Sequence, residues 1–182
     1  MNRYNRILVL GSPGAGKTYF SNRLSEKLQI KVIHLDDYYW KSNWIACADK
    51  EWNEILEQLL EEQSYIMEGN YVESLEKRIK YVDLIIYIDT SLLESLKGYT
   101  RRMLKNYLIH GSELPKEIMK EKKYRLSEKG YLNFCGYIIS YHRRQKRELL
   151  NYLKNMKNME VLFITKQDFR GIENEVANIF FR

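Results

Sequence analysis

Gly11-Ser12-Pro13-Gly14-Ala15-Gly16-Lys17-Thr18 satisfies every fixed position of the pattern G-x-x-x-x-G-K-[ST]. An apolar run at 6–10 (RILVL) leads into it and reads as a buried strand. Behind it, residues 17–28 carry Phe20, Leu24 and Leu28 at a spacing of four, with charges between them, and read as a helix. Strand, glycine loop and helix are the context this pattern requires. Glycines let the backbone curl and turn several N–H groups toward one anion. The helix that begins near Lys17 adds the positive end of its dipole. The Lys17 ammonium suits the β- and γ-phosphates of ATP, and the Thr18 hydroxyl suits Mg2+. Gly11, Ser12, Pro13, Gly14, Ala15, Gly16, Lys17 and Thr18 are therefore the candidate ATP-binding set, with Lys17 also a catalytic candidate.

Outward from this loop, apolar runs at 31–35 (KVIHL), 64–68 (SYIME), 83–88 (DLIIYI) and 161–165 (VLFIT) predict four more strands. A polar and aromatic loop is expected over 36–48. Residues 49–62 read as a helix with Trp52, Ile55, Leu56, Leu59 and Leu60 on one face. A long helix opens at Ser91, where Ser91 and Glu94 match a capping box, and Gly111 is its expected stop. Its stripe comprises Leu92, Leu93, Leu96, Tyr99, Met103, Leu104 and Tyr107. Residues 111–130 are polar, Lys-rich and bounded by glycines, and read as a lid. A helix over 131–155 and a terminal helix to about 181 complete the chain. Strands alternating with helices predict a three-layer α/β P-loop domain, a parallel sheet of about five strands with helices on both faces. The 182 residues suit one domain, 1–182.

The sequence holds no run of about 18 apolar residues, so no membrane span is expected. The leading apolar run is too short for an export signal. Cys47 and Cys135 lack metal-ligand spacing and read as reduced thiols, and His34, His110 and His142 are scattered. A cytoplasmic location follows as the expectation. Net charge is +6, but residues 97–157 hold 16 Lys and Arg against 5 Asp and Glu. That asymmetry implies an anionic partner, either nucleotide phosphates or nucleic acid.

The loop Ser12-Pro13-Gly14-Ala15-Gly16-Lys17 resembles the phosphate loop of adenylate kinases and related small kinases. His34-Leu35-Asp36-Asp37-Tyr38-Tyr39-Trp40-Lys41, Trp44 and Glu68-Gly69-Asn70-Tyr71 together resemble the bacterial DNA topology modulation proteins (FlaR-like), an adenylate-kinase-like P-loop family. The resemblance covers residues 6–90 and continues beyond Thr90 as arrangement only. It implies an adenylate-kinase-like fold. By the same resemblance, Glu68 falls where such proteins carry an acid that holds a metal-bound water, with Glu in place of Asp. Asp36-Asp37-Tyr38-Tyr39 also resembles the Asp-x-Phe-Tyr stretch of uridine-type kinases, which implies that Asp36 holds and deprotonates the acceptor.

Asp36 and Asp37 stand at the carboxyl end of the second predicted strand, the ligand-binding edge of open α/β sheets. Asp36 is the candidate base for an acceptor hydroxyl, and Asp37 reads as solvated. Thr18 and Glu68 are the metal candidates, with Asp89 the competitor because it too ends an apolar strand. Trp40 and Trp44 are candidate walls of an acceptor pocket, together with Asp36, Gly69, Asn70 and Tyr71, while Trp52 fits the helical stripe as core. Arg102 lies at the edge of its helix stripe, placed to face a cleft and to stabilise charge on a transferred phosphoryl group, whereas Arg101 points away. His142-Arg143-Arg144 and Lys146-Arg147 form a second basic cluster. The expected function is transfer of the ATP γ-phosphate, with Mg2+, to a small metabolite such as a nucleoside or nucleotide. The rival is an ATP-binding regulator of DNA topology with little kinase activity. Neither the acceptor nor the oligomeric state is legible.

Overall fold

The computed structural model describes residues 4–108, 114–119, 128–169 and 171. Five strands form one parallel sheet: β1 (Arg6–Gly11), β2 (Val32–His34), β5 (Tyr65–Glu68), β6 (Leu84–Ile88) and β7 (Glu160–Ile164), in the order β2-β5-β1-β6-β7. β3 (Trp40–Lys41) and β4 (Ile45–Ala46) make a separate antiparallel hairpin. The helices are α1 (Lys17–Leu28), α2 (Asp36–Tyr39), α3 (Asp49–Leu60), α4 (Leu75–Ile79), α5 (Leu92–Leu108), α6 (Lys116–Met119), α7 (Glu128–Arg143) and α8 (Gln145–Lys154).

The period-two pattern of β1 divides the core. Ile7 and Val9 face a cluster with Phe20, Leu24 and Leu28 of α1 and with Ile66, Ile86 and Ile164. Leu8 and Leu10 face the other cluster, with Trp52 and Leu56 of α3, Ile79 of α4 and Leu149 and Leu153 of α8. Helices thus cover both faces, as the buried runs Ile7 to Leu10 of β1 and Leu84 to Ile88 of β6 demand. The three-layer α/β fold with five parallel strands is the architecture expected from the sequence. Because every strand runs the same way, the loops after β1, β2, β5 and β6 leave one edge of the sheet.

A third, smaller cluster lies between α5 and α7, where Tyr99 and Met103 pack on Ile138, Tyr131 and Phe134. The capping box at the start of α5 forms: Ser91 donates from its N–H and its hydroxyl to Glu94, and the Glu94 N–H returns to Ser91 Oγ.

Several local expectations change. The stretch 36–48 is not an irregular loop but α2 followed by the β3–β4 hairpin, with Asn43 and Trp44 left-handed at its tip. Leu93 and Leu104 are exposed, so the buried stripe of α5 is narrower than its leucines suggest. The helix expected over 131–155 breaks at Arg144, whose backbone leaves helical geometry between α7 and α8. α4 was not anticipated. The terminal helix expected to about 181 and the stop at Gly111 lie outside the described residues, as does most of the 111–130 lid. Among the described residues no helix is long and apolar enough to cross a membrane.

One contact fixes the glycine loop against α5. A Cβ on Gly14 would meet the Ser95 carbonyl oxygen at 2.2 Å, and a Cβ on Gly98 would meet the Gly14 carbonyl oxygen at 2.2 Å. Backbone therefore lies directly on backbone here, and no larger residue fits without displacing one segment. Gly98→Ala is expected to destabilise the chain by roughly 1–3 kcal/mol through overpacking. The melting temperature should fall by roughly 2–4 °C for each kcal/mol. Gly136→Ala is the control, because a Cβ there meets nothing within 4 Å. It should be neutral or stabilising by up to about 1 kcal/mol in a helix interior. Equal melting temperatures for the two variants would refute the close contact.

Candidate functional site

The glycine loop leaves β1 at Gly11 and closes a turn in which the Ala15 N–H bonds to the Ser12 carbonyl at 3.0 Å. Gly16 is left-handed and opens α1 without a side-chain cap, so no capping side chain takes up the first-turn N–H groups. The Lys17 ammonium bends over the loop and donates to the carbonyls of Gly11 (3.0 Å) and Ser12 (3.2 Å). Burial pulls its pKa below the usual lysine value; the charges of Glu68 and Asp36 oppose that shift, and Arg102 reinforces it. Four groups assigned from separate parts of the sequence are thus within electrostatic reach of one another.

Glu68 ends β5, beside His34 in the register of β2. Its carboxylate is buried, 7% exposed, and its Oε1 accepts both from the Thr18 hydroxyl (2.8 Å) and from His34 Nδ1 (2.9 Å). Burial would raise the pKa of Glu68. The His34 hydrogen bond, the Lys17 charge and the Thr18 hydrogen bond outweigh burial and hold it below the usual range. Burial likewise disfavours a charged His34, but the hydrogen bond and charge of Glu68, helped by Asp37, raise its pKa above the ordinary value. Among the described residues no three His, Cys, Asp or Glu form a metal cage. The donor set here, one hydroxyl beside one held carboxylate, fits a Mg2+ that keeps waters and phosphate oxygens as its other ligands. Asp89, the competing acid, is paired with Lys146 at 2.7 Å, and that ammonium also donates to the Thr90 carbonyl.

Asp36 opens α2 at the same edge. Its Oδ1 accepts from the Tyr71 hydroxyl at 2.6 Å. The residue is exposed at the surface, but protein crowds around its carboxylate. That burial raises its pKa, the Tyr71 hydrogen bond opposes the rise, and the Glu68 charge adds to it. Tyr71 has a strained backbone, φ 27° and ψ 66°. Arg78 of α4, wholly buried, donates to the carbonyls of Gly69, Asn70 and Tyr71 and holds this turn in place. Asn70 Oδ1 lies 3.4 Å from the Gly11 N–H, which ties the turn to the glycine loop.

Tyr39, Trp52 and Tyr71 form a ring cluster with centroids 4.8–5.2 Å apart, and Trp40 extends it from Tyr39 to Trp44. Trp52 is core, as its helical spacing indicated, whereas Trp44 is 43% exposed. Arg102 reaches the centre from α5. Its charge acts on both Lys17 and Asp36, and its guanidinium lies 5.8 Å from the centroid of the Tyr99 ring. Arg101 is exposed.

The tertiary structure corrects one reading outright. Asp37 is not solvated: its side chain is 11% exposed, and it accepts from the Lys116 N–H at 3.0 Å and pairs with the Lys116 ammonium at 3.1 Å. Residues 114–119 of the expected lid therefore lie against α2 and the β3–β4 hairpin. His34, one of three scattered histidines in the sequence, turns out to be the neighbour of Glu68. Arg78 carried no sequence signal, since a basic residue in a short charged stretch reads as a solvated helix face.

No protein-family model matches the chain. It is 29% identical over 126 residues to a Methanocaldococcus jannaschii protein named "Putative adenylate kinase", covering 69% of this chain and 59% of that protein. The chain thus spans less than two thirds of that relative's length. Among solved structures, a shikimate kinase from Bacteroides thetaiotaomicron superposes with a TM-score of 0.56 at 12% identity, covering 98% of this chain and 99% of that one. A shikimate kinase from Acinetobacter baumannii gives 0.54 at 13% identity over 97% and 93% of the two chains. A gluconokinase from Sinorhizobium meliloti gives 0.52 at 13% identity over 100% and 94%. The fold is that of P-loop kinases.

The His34–Glu68 pair has a pH signature. Glu68, depressed, contributes stability above its unfolded value near 4.5 and loses it as pH falls through the lower folded value. His34, raised, contributes below its unfolded value near 6.5 and loses that contribution as pH rises through the higher folded value. The pair is most stabilising between these limits. The stability deficit of His34→Gln, measured by urea unfolding, should be largest near pH 5.5 and shrink toward pH 8. A deficit independent of pH would exclude a charged His34 in this contact.

Proposed function

We propose that this protein is an ATP-dependent phosphotransferase acting on a small metabolite. One observation carries the reading. Lys17, the Thr18–Glu68 pair, Asp36 and Arg102 converge at the carboxyl edge of a parallel sheet, around a glycine loop that opens α1 without a side-chain cap. The likeness to kinases in fold and in sequence supports it.

Each group then has a role set by its position. Residues 11–18 bind the phosphates of ATP, with backbone N–H groups and the Lys17 ammonium as donors. The ammonium needs only to swing from the carbonyls of Gly11 and Ser12 to reach the β- and γ-phosphates. Thr18 would hold Mg2+ directly and Glu68 through its waters, and the ion would offset charge on the β- and γ-oxygens. Asp36 accepts the proton of the acceptor hydroxyl while the acceptor oxygen attacks the γ-phosphorus and ADP departs. Its raised pKa makes it a better base than an ordinary aspartate, and Tyr71 fixes its orientation. Arg102 stabilises negative charge on the transferred group. Trp40, Gly69, Asn70 and Tyr71 shape the acceptor side.

Lys17→Ala should weaken Mg·ATP binding markedly in calorimetric titration and leave the circular dichroism spectrum unchanged, with a lower melting temperature because the bonds to the Gly11 and Ser12 carbonyls and the charge near Glu68 are lost. Unchanged affinity in folded protein would sink the phosphate-loop assignment. Asp36→Asn keeps the shape and removes the basic oxygen. It should slow phosphoryl transfer by ~10² to ~10⁴, the usual worth of a general base, with Mg·ATP affinity held within about threefold. Wild-type turnover in this variant would move the base elsewhere.

A further inference from the structure

His142 stands in a basic cluster of the sequence, yet its ring turns inward and meets α5. We propose that His142 is a positioning residue for ATP binding, one that holds the phosphate loop in shape through Ser95. This rests on the reading of residues 11–18 as the phosphate site.

The glycine loop sits directly on α5. A Cβ on Gly14 would lie 2.2 Å from the Ser95 carbonyl oxygen and 3.1 Å from the Tyr99 nitrogen, and Gly98 meets the Gly14 carbonyl oxygen in return. Backbone packed on backbone has no side chain to absorb a displacement. Where the 95–98 turn of α5 goes, Gly14 goes with it, and so do the loop N–H groups that would receive phosphate. To place Ser95 is therefore to place the phosphate site.

The groups that place Ser95 come from outside α5. Ser95 is wholly buried, and its Oγ lies 2.9 Å from Thr90 Oγ1 and 3.0 Å from His142 Nε2. One hydroxyl thus joins the residues after β6 to the last turn of α7. Farther along α5, Tyr99 and Met103 pack on Ile138, and the hydroxyls of Thr100 and Tyr131 pair at 2.7 Å. Apolar packing is non-directional and tolerates a small slide along the helix axis. A hydrogen bond fixes both a length and a direction. His142 supplies that constraint at the level of Gly14.

His142 is itself held. Tyr141 and Ile138 are wholly buried, so α7 cannot turn about its axis. Beyond the break at Arg144, Lys146 binds back to the Thr90 carbonyl and pairs with Asp89. Burial and the Lys146 charge lower the pKa of His142 against the opposing charge of Asp89. A neutral ring shares a hydrogen bond with Ser95 and brings no charge to that buried hydroxyl. Arg143 and Arg144, its neighbours in the cluster, are exposed.

Binding of Mg·AMP-PNP to the full chain would be measured by calorimetry, with urea unfolding in parallel, for the wild type, His142→Leu, His142→Gln, Ser95→Ala and the double variant His142→Leu with Ser95→Ala. His142→Leu and Ser95→Ala should each weaken binding by roughly 10-fold, because a site loosens when the hydrogen bonds that support it are lost. The double variant should lose little more than either alone, since both changes remove one contact. His142→Gln keeps a hydrogen-bonding atom at about the reach of Nε2 and should recover most of the affinity. Reduced stability with unaltered affinity in the folded single variants would overturn the proposal, leaving His142 a purely structural residue. Losses that multiply to roughly 100-fold in the double variant would overturn the route through Ser95. A His142→Gln protein as weak as His142→Leu would overturn the hydrogen bond as the means. If His142→Leu does not fold, Ser95→Ala decides alone, and wild-type affinity there overturns the proposal. Failure of the wild-type chain to bind Mg·AMP-PNP is a different result, since it removes the phosphate-loop reading itself.

Discussion

A buried carboxylate needs partners, and the site is organised around that need. Glu68 ends a strand in the middle of the sheet edge, where an unpaired charge would be strongly destabilising. Thr18 from α1 and His34 from β2 meet it at one oxygen, and the Lys17 ammonium supplies charge nearby. Three elements are therefore locked at the level of the glycine loop by a single group. The same arrangement keeps the carboxylate ionised, which is the state that a hydrated divalent cation would require.

Arg78 plays the corresponding part at the turn that follows β5. A wholly buried guanidinium needs partners, and here backbone carbonyls from a strained turn accept from both terminal nitrogens, while Nε has no hydrogen-bond partner among the described residues. The turn in consequence aims Tyr71 at Asp36 and lays Asn70 against Gly11. Arg78 thereby stiffens the turn after β5 from within the core. The ring cluster of Tyr39, Trp52 and Tyr71 backs the same turn from the core. Strain at Tyr71 is thus supported from two directions, which is how such a backbone conformation persists.

The third constraint is steric. Gly14 and Gly98 bring the glycine loop and α5 into backbone contact, so α5 cannot shift without moving the loop. Lys166, following β7, reaches the Gly14 carbonyl at 3.3 Å and joins the far side of the sheet to this contact. Arg102 lies one helical turn beyond Gly98, and its approach to Lys17 and Asp36 is set by this packing.

Short-range pattern carried the fold. The five strands were legible because apolar runs bounded by glycine or charge suit strands buried on both faces, and the order of strand and helix then restricts the sheet to parallel. The glycine loop was legible for a different reason: its eight residues are consecutive, so the whole motif falls within one short window. Positions set by long-range contact were not. Asp37 looked solvated because Lys116 lies 79 residues away, and His34 looked scattered because Glu68 lies 34 residues away. Arg78 looked like surface because nothing local marks three carbonyls as its partners. The break at Arg144 and the short hairpin after α2 also depend on neighbours that no local window contains. By itself, then, the sequence determined the layer order, the sheet and the loop, since propensity, periodicity and a contiguous motif act within a few residues. Only the tertiary structure decided which acid stands beside Thr18, which cation pairs with Asp37 and how the turn after β5 is held. Those facts arise where separate strands end side by side, and pairing there is settled by burial and charge rather than by sequence neighbourhood.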